Sequence, residues 1–228
     1  QGWGDRRHGW KPETDWMLLS YGVVTGIYFT LDTVVPKGEK VLTFTPVYDP
    51  FFAAIKNSGH TLVDCPLDHK DNYYTINWEL LEKELADGVK AVVFCNPHNP
   101  VGRVWTKEEL EGIANFCLKH NLYLIADEIH NDLLFKEHIV MNNISAELAE
   151  RTILCTAPSK TFNLAGLVGS YHIIYNKYLR DRVVAKSSKP HYNEMNVLSM
   201  HALIGAYKPE GYEWVDELCQ VLTENVEY

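Results

Sequence analysis

Short apolar runs alternate with amphipathic segments along most of the chain. The runs predict buried strands at 40–45, 61–65, 90–95, 122–126, 152–156 and 167–175. Helical periodicity and helix-boundary residues predict helices at 23–34, 50–58, 77–86, 106–120, 176–186, 196–207 and 211–228. The helix over 106–120 has the clearest signal, because Thr106 and Glu109 have the spacing of a capping box. Residues 1–10 show neither pattern, so no element is predicted there.

This alternation predicts an α/β fold, a mostly parallel sheet sandwiched by helices. Ligand sites of such folds lie beyond the carboxyl ends of the strands. The loops that follow the predicted strands are therefore where chemistry is expected.

Composition narrows the class of protein. The chain has 228 residues and a formal net charge of −9, which argues against binding to nucleic acid. No apolar run approaches the roughly 20 residues of a membrane span, and no leader-like segment is visible. The five cysteines form no C-x-x-C pair, so we expect buried, reduced thiols in a cytoplasmic protein, with a reactive thiol or a metal site as the alternative. Because Gln1 replaces a starting Met, we expect a piece of a longer protein.

Polar residues follow three of the predicted strands. Asn99 lies in NPHNPVG after 90–95, Asp127 and His130 lie in DEIH after 122–126, and Lys160 lies in APSK after 152–156. In a parallel sheet these loops open on one rim. An amide, a carboxylate, an imidazole and an amine are therefore predicted to converge.

Each of these residues also has a purely structural explanation. Asn99 suits a turn beside Pro100 and Asp127 suits a helix cap, while His130 and Lys160 suit a partly buried histidine and a surface lysine. A metal cluster is a further alternative, although no second ligand set has helical spacing; its members are Asp127, Glu128, His130 and Asp132.

Three motifs in order carry a family resemblance. They are CNPHNPVGRVWTKEEL, IADEIHNDLLF and TAPSKTFNLAGL, and the segments YGVVTGI and TPVYDPFF precede them. The chain resembles fold-type I pyridoxal-phosphate (PLP) enzymes of the class I and II aminotransferase superfamily, specifically the MalY/PatB-type cystathionine β-lyases, a C–S lyase branch. The resemblance implies that 1–208 form the PLP-binding large domain, without the family's N-terminal part. It implies that 209–228 begin the helix leading to a small domain largely missing from this chain.

The resemblance also implies site roles. Lys160 matches the Schiff-base lysine, which also acts as the base at the substrate Cα. Asp127 matches the carboxylate that keeps the pyridine nitrogen protonated. Asn99 matches the amide that binds the phenolic oxygen, and His130 stands where related aminotransferases have a tyrosine that touches that oxygen. Tyr48 matches the aromatic that stacks on the ring, although a core tyrosine is the alternative.

The phosphate is expected at the start of the helix over 23–34. Backbone N–H groups of Val23, Val24 and Thr25 point out of that first turn, and Ser159 and Thr156 flank the lysine as further donors. Two positions depart from relatives: Val168 stands where many aminotransferases have an arginine, and Asp49 replaces a second tyrosine that the branch often has after Tyr48.

The implied activity is β-elimination on L-cystathionine or a related cysteine S-conjugate. The alternatives are a PLP-dependent aminotransferase and a regulatory or interaction protein on the same fold. The resemblance implies an amino-acid substrate and a homodimer, without nucleic-acid, membrane or metal partners. The family's partner-reaching tyrosine and substrate-binding arginine match no residue here, so we expect the chain alone to lack part of the active site.

Overall fold

The computed structural model describes residues 1–85, 88–134 and 137–228. Its helices are α1 (Gly2–His8), α2 (Val23–Val34), α3 (Pro50–Asn57), α4 (Trp78–Leu85), α5 (Lys107–Lys119), α6 (Ala146–Ala149), α7 (Lys177–Ser187), α8 (Val197–Ala206) and α9 (Pro209–Glu227). Its strands are β1 (Met17–Tyr21), β2 (Lys40–Thr45), β3 (Thr61–Pro66), β4 (Asp68–Lys70), β5 (Tyr73–Thr75), β6 (Val89–Cys95), β7 (Tyr123–Asp127), β8 (Thr152–Thr156) and β9 (Gly169–Ile174).

One seven-stranded sheet organises the fold, in the order β1-β9-β8-β7-β6-β2-β3. Parallel pairing joins five neighbouring strands of this sheet, in the order β3, β2, β6, β7 and β8. Strand β9 runs antiparallel to both of its neighbours, β8 and β1, and β4 and β5 form a separate hairpin. The carboxyl ends of β1, β2, β6, β7 and β8 and the amino end of β9 therefore share one edge. This edge positions the candidate site.

Side chains alternate between two cores along the central strands. In β6, Ala91 and Val93 belong to a core with Ile27 and Leu31 of α2, whereas Val92 faces a second core built with α5. Burying a leucine- or isoleucine-sized side chain contributes about 1.5–3 kcal/mol. Ile27 and Leu31 are fully buried, so packing against the sheet holds α2 in place.

Most predicted elements are confirmed, several to within a residue. α2, β2 and β8 have the predicted bounds, and α5 carries the predicted capping box between Thr106 and Glu109. The strand predicted at 167–175 is shorter, because a 3-10 turn at Ala165–Leu167 precedes it. The helix predicted at 77–86 is observed as α4, and its last predicted residue lies outside the described residues.

The expectation that 1–10 forms no element is wrong. α1 occupies Gly2–His8, and its Trp3 is buried against the rings of Phe162, Tyr207 and Tyr212. These contacts are distant in sequence, which is why local periodicity gave no signal. Strand β1 was also missed, because only its pairing with β9 identifies it.

None of the helices in the three described ranges combines the length and apolarity needed to cross a bilayer.

Candidate active site

A cavity of about 290 Å³ opens at the shared edge of the sheet. Its walls come from the loops after β1, β2, β6, β7 and β8, from the first turn of α2 and from the start of β9. The lining residues are Tyr21, Gly22, Val23, Val24, Thr25, Tyr48, Cys95, Asn99, Asp127, Ile129, His130, Ala157, Ser159, Lys160, Ala165, Val168, Gly169 and Ser170. The residues predicted to converge from three loops therefore do line one cavity.

Asp127 is the buried carboxylate of this cavity. It ends β7, is only 4% exposed, and accepts a hydrogen bond from the Ile129 N–H at 3.1 Å, the one bond its side chain makes within the described ranges. Burial raises the pKa of Asp127 to about 7; the Ile129 hydrogen bond opposes this rise, the charge of Glu128 adds to it, and the charge of Lys160 opposes it more weakly. A carboxylate in this setting favours a cationic or proton-donating partner in the cavity.

The neighbours of Asp127 in the sheet supply little compensation. Cys95 on β6 and Cys155 on β8 lie directly opposite it, and both are buried. Burial, reinforced by the Asp127 charge, raises the pKa of both thiols well above its ordinary value, so both remain neutral. The Cys95 Sγ–H donates instead to the Pro97 carbonyl at 3.1 Å. Asp127 is thus flanked by weakly polar groups.

Lys160 and Asn99 bring unused hydrogen-bonding groups to the cavity. Within the described residues, neither the Lys160 amine nor the Asn99 side-chain amide bonds to another protein group. Lys160 is exposed and Asn99 is half-buried. Both side chains remain available to a bound molecule.

The first turn of α2 faces the same cavity. Gly22 precedes it with φ 85°, a conformation that glycine adopts without a steric penalty, and no side chain among the described residues caps the helix. The first N–H groups of a helix have no partner within it. Those of Val23, Val24 and Thr25 therefore form an electropositive cradle, and Ser159 lies on the lining beside it.

Tyr48 and His130 complete the predicted set. Tyr48 lies on the lining with 39% of its surface exposed, so the alternative of a core tyrosine is not supported. His130 is half-buried, and burial, followed by the nearby Lys160 charge, lowers the pKa of its imidazole. A neutral imidazole both donates and accepts hydrogen bonds.

Thr156 is not brought to the cavity. Its hydroxyl donates to the Glu128 carbonyl at 3.3 Å, and the residue borders a different cavity on the opposite face of the sheet. Thr156 is the last residue of β8, just before the turn that leads to Lys160. Side chains alternate between the two faces of the sheet along a strand. Thr156 therefore lies outside the lining of the candidate cavity, and its role as a phosphate donor stays a prediction.

The metal-cluster alternative is not supported. Glu128 bonds to His138 at 2.8 Å, and Asp132 bonds to Trp3 and Thr161, so these carboxylates point to separate partners. Across the residues that the structure describes, no group of three or more potential ligands is placed to hold a metal ion.

Sequence reasoning missed several cavity residues. Tyr21 was missed together with β1, and Ser170 and Gly169 belong to the start of β9. Val168, noted for replacing an arginine, has φ 59°, a left-handed conformation that β-branched residues avoid. Val168 directly follows the motif TAPSKTFNLAGL, which is the sequence signal closest to this wall.

The fold and the cavity define an α/β protein with a ligand site at the carboxyl edge of its sheet. A family model described as class I and II aminotransferase matches residues 9–202. The chain belongs to the class I and II aminotransferase family.

Two named relatives match almost the whole chain, and a third matches about two thirds of it. The chain is 36% identical over 228 residues to cystathionine β-lyase PatB of Bacillus subtilis. The aligned region covers 99% of this chain and 59% of PatB. The crystal structure of cystalysin from Treponema denticola, which contains pyridoxal 5'-phosphate, matches with a TM-score of 0.93 and 42% identity over 98% of this chain and 57% of cystalysin. A probable kynurenine–oxoglutarate transaminase of Saccharomyces cerevisiae is 32% identical over 160 residues, 66% of this chain and 36% of that protein. The chain thus spans less than two thirds of the length of these relatives.

Proposed function

We propose that this chain is the PLP-binding large domain of a C–S lyase that acts on L-cystathionine or related cysteine S-conjugates and yields a thiol, pyruvate and ammonia. One observation carries the proposal: a single cavity gathers the Lys160 amine, the buried Asp127 carboxylate and the Asn99 amide. The names of PatB and of the PLP-containing cystalysin support the same class of reaction.

The chemistry of the lining fits PLP. The cradle of Val23, Val24 and Thr25 with Ser159 offers donors for a phosphate dianion. Asp127 is a carboxylate short of partners, which suits a protonated ring nitrogen, and Asn99 offers an amide for the phenolic oxygen. These residues, with Lys160 and the Tyr48 ring, are the ones that would hold the group.

Each residue then has a task in β-elimination. When bound, PLP supplies an electron sink that stabilises negative charge at the substrate Cα. Lys160 removes the proton from that carbon, and the electron pair left behind forms a Cα–Cβ double bond and expels sulfur from Cβ as a thiolate, which takes up a proton. Water then hydrolyses the enamine that remains of the substrate to pyruvate and ammonia. Asp127 holds a proton at the ring nitrogen by remaining ionised opposite it. Tyr48 and Asn99 would orient the ring relative to the Lys160 amine.

The test is turnover by the purified full-length protein that contains this chain, because the chain alone is expected to lack part of the active site. With PLP and L-cystathionine we expect release of pyruvate and of free thiol, and loss of both in Lys160→Ala. Lys56→Ala is the matched control, because Lys56 is an exposed lysine on α3 that does not line the cavity. Absence of pyruvate and thiol with cystathionine and with other cysteine S-conjugates contradicts the proposal.

An aminotransferase is the second candidate. The family description and the similarity to a probable transaminase favour it. Both reactions begin with removal of the Cα proton, so the same lining serves either. Transfer of the amino group to an added keto acid, without thiol release, identifies this candidate.

The remaining proposals concern organisation. We place the large domain at 1–208 and the start of the helix toward the small domain at 209–228, supported by Pro209, which begins the 19-residue α9. We also propose that the protein is a homodimer and that it lies in the cytoplasm. The exposed apolar surface of α8 supports the homodimer, because Val197, Leu198 and Ile204 are each more than half exposed.

A further inference from the structure

The loop that carries Lys160 is anchored by its next residue. Thr161 is completely buried, and its hydroxyl donates to Asp132 Oδ2 at 2.9 Å. Asp132 itself is only 6% exposed and does not line the cavity. Lys160 is exposed and has no protein partner within the described residues, so its backbone takes its position from neighbours such as Thr161.

The other oxygen of the same carboxylate binds helix α1. Asp132 Oδ1 accepts from Trp3 Nε1 at 3.0 Å and lies 2.9 Å from His8 Nε2, and the Arg7 Nε lies 3.5 Å away. Hydrogen bonds to an ionised acceptor are roughly twice as strong as neutral ones. Burial alone would raise the pKa of Asp132, but the bonds from His8, Trp3 and Thr161 outweigh it and hold that pKa below its ordinary value.

A second contact joins the same two elements. The ring of Trp3 meets that of Phe162 edge-on, with centroids 5.3 Å apart, and Phe162 is two residues beyond Lys160. A tight turn separates Asp127 from Asp132. The turn is closed by the Asn131 N–H, which donates to the Glu128 carbonyl at 3.1 Å, and it contains His130. One buried carboxylate therefore links α1, the loop after β7 and the loop after β8.

We propose that Asp132 is a positioning residue for Lys160: through the Thr161 hydroxyl it fixes the lysine-bearing loop relative to Asp127. This inference rests on the proposed function, since it concerns the lysine of that site. A long flexible side chain is aimed by the position of its Cα, and a displacement of about 1 Å at a reacting group costs on the order of 100-fold in rate.

Thr161→Val tests the link without removing the carboxylate. Valine keeps the shape of threonine and deletes the single bond to Asp132. Thr152→Val is the matched control: Thr152 is equally buried, its hydroxyl makes one bond of 2.9 Å to the Leu148 carbonyl, and it lies at the other end of β8. Thr161→Ser retains the hydroxyl and is the rescue variant.

Four readouts separate positioning from simple stability: the melting temperature of the cofactor-free protein, the affinity for added PLP, the midpoint of the pH titration of the visible absorbance, and kcat with KM. We expect both valine variants to lower the melting temperature similarly. Only Thr161→Val should move the absorbance midpoint and lower kcat about 10- to 100-fold at little-changed KM. Thr161→Ser should restore both.

The inference is overturned if Thr161→Val matches Thr152→Val in absorbance midpoint and kcat while the wild-type protein fixes PLP on Lys160. Failure of the wild-type protein to fix PLP on Lys160 would instead refute the proposed function, so the two failures are distinguishable.

Discussion

Replacing Asp127 with asparagine should stabilise the cofactor-free protein at neutral pH while it abolishes turnover. Burial holds the pKa of Asp127 at about 7 instead of 3.8. The native state therefore binds this proton more tightly than the unfolded chain, and stability from this group is complete below pH 4 and is lost as the pH rises through 7.

The size of the effect follows from the pKa. One pKa unit corresponds to about 1.4 kcal/mol, so ionising Asp127 in the fold costs on the order of 4 kcal/mol of unfolding free energy. Asparagine has no such cost, because it remains neutral at every pH. Urea unfolding of both cofactor-free proteins between pH 4 and pH 8 measures the difference. We expect it to be near zero at the acid end and several kcal/mol in favour of Asp127→Asn at the alkaline end.

Asp132→Asn is the matched control, because Asp132 is as buried as Asp127 but well bonded. Its pKa is lowered, so its stabilisation is present at neutral pH and is lost on acidification; Asp132→Asn should therefore be less stable than wild type at pH 7. Parallel pH profiles for wild type and Asp127→Asn would refute the reasoning, since they would mean that the fold already compensates the Asp127 charge.

Three further substitutions test separate parts of the account. A Cβ built on Gly26 would overlap the imidazole of His172, so Gly26→Ala should destabilise the protein by about 1–3 kcal/mol in chemical unfolding. When His172 is already replaced by alanine, the same Gly26→Ala substitution should cost much less. Thr106→Ala removes the capping box with Glu109 and should cost about 1 kcal/mol without changing PLP affinity, which calorimetry of both properties checks. Tyr48→Ala should leave the melting temperature of the cofactor-free protein nearly unchanged, because Tyr48 is exposed, but should weaken PLP binding about 5-fold in a spectroscopic titration.

Local patterns predicted the elements whose stability depends on a continuous apolar face. β2, β6 and β8 are short apolar runs buried on both sides, and α5 has both its cap and its stripe in the sequence. The rule that parallel strands end at one edge then brought Asn99, Asp127 and Lys160 together, as the cavity lining shows.

Features that depend on distant partners escaped prediction. Helix α1 is held by the bond from Trp3 to Asp132, across 129 residues, and by ring stacking that no periodicity reveals. The antiparallel direction of β9 follows from its pairing with β8, not from its composition. Thr156 lies outside the cavity lining because side chains alternate between the two faces along β8, so its place depended on where the strand ends.

Lys160 is the residue proposed to bind PLP covalently. Borohydride reduction of the purified protein with PLP, followed by peptide mapping, tests this proposal directly. We expect a yellow protein whose visible absorbance disappears on reduction, with the label on the peptide that contains Lys160 alone. A label on another lysine, or a colourless protein that retains no PLP, would contradict the account.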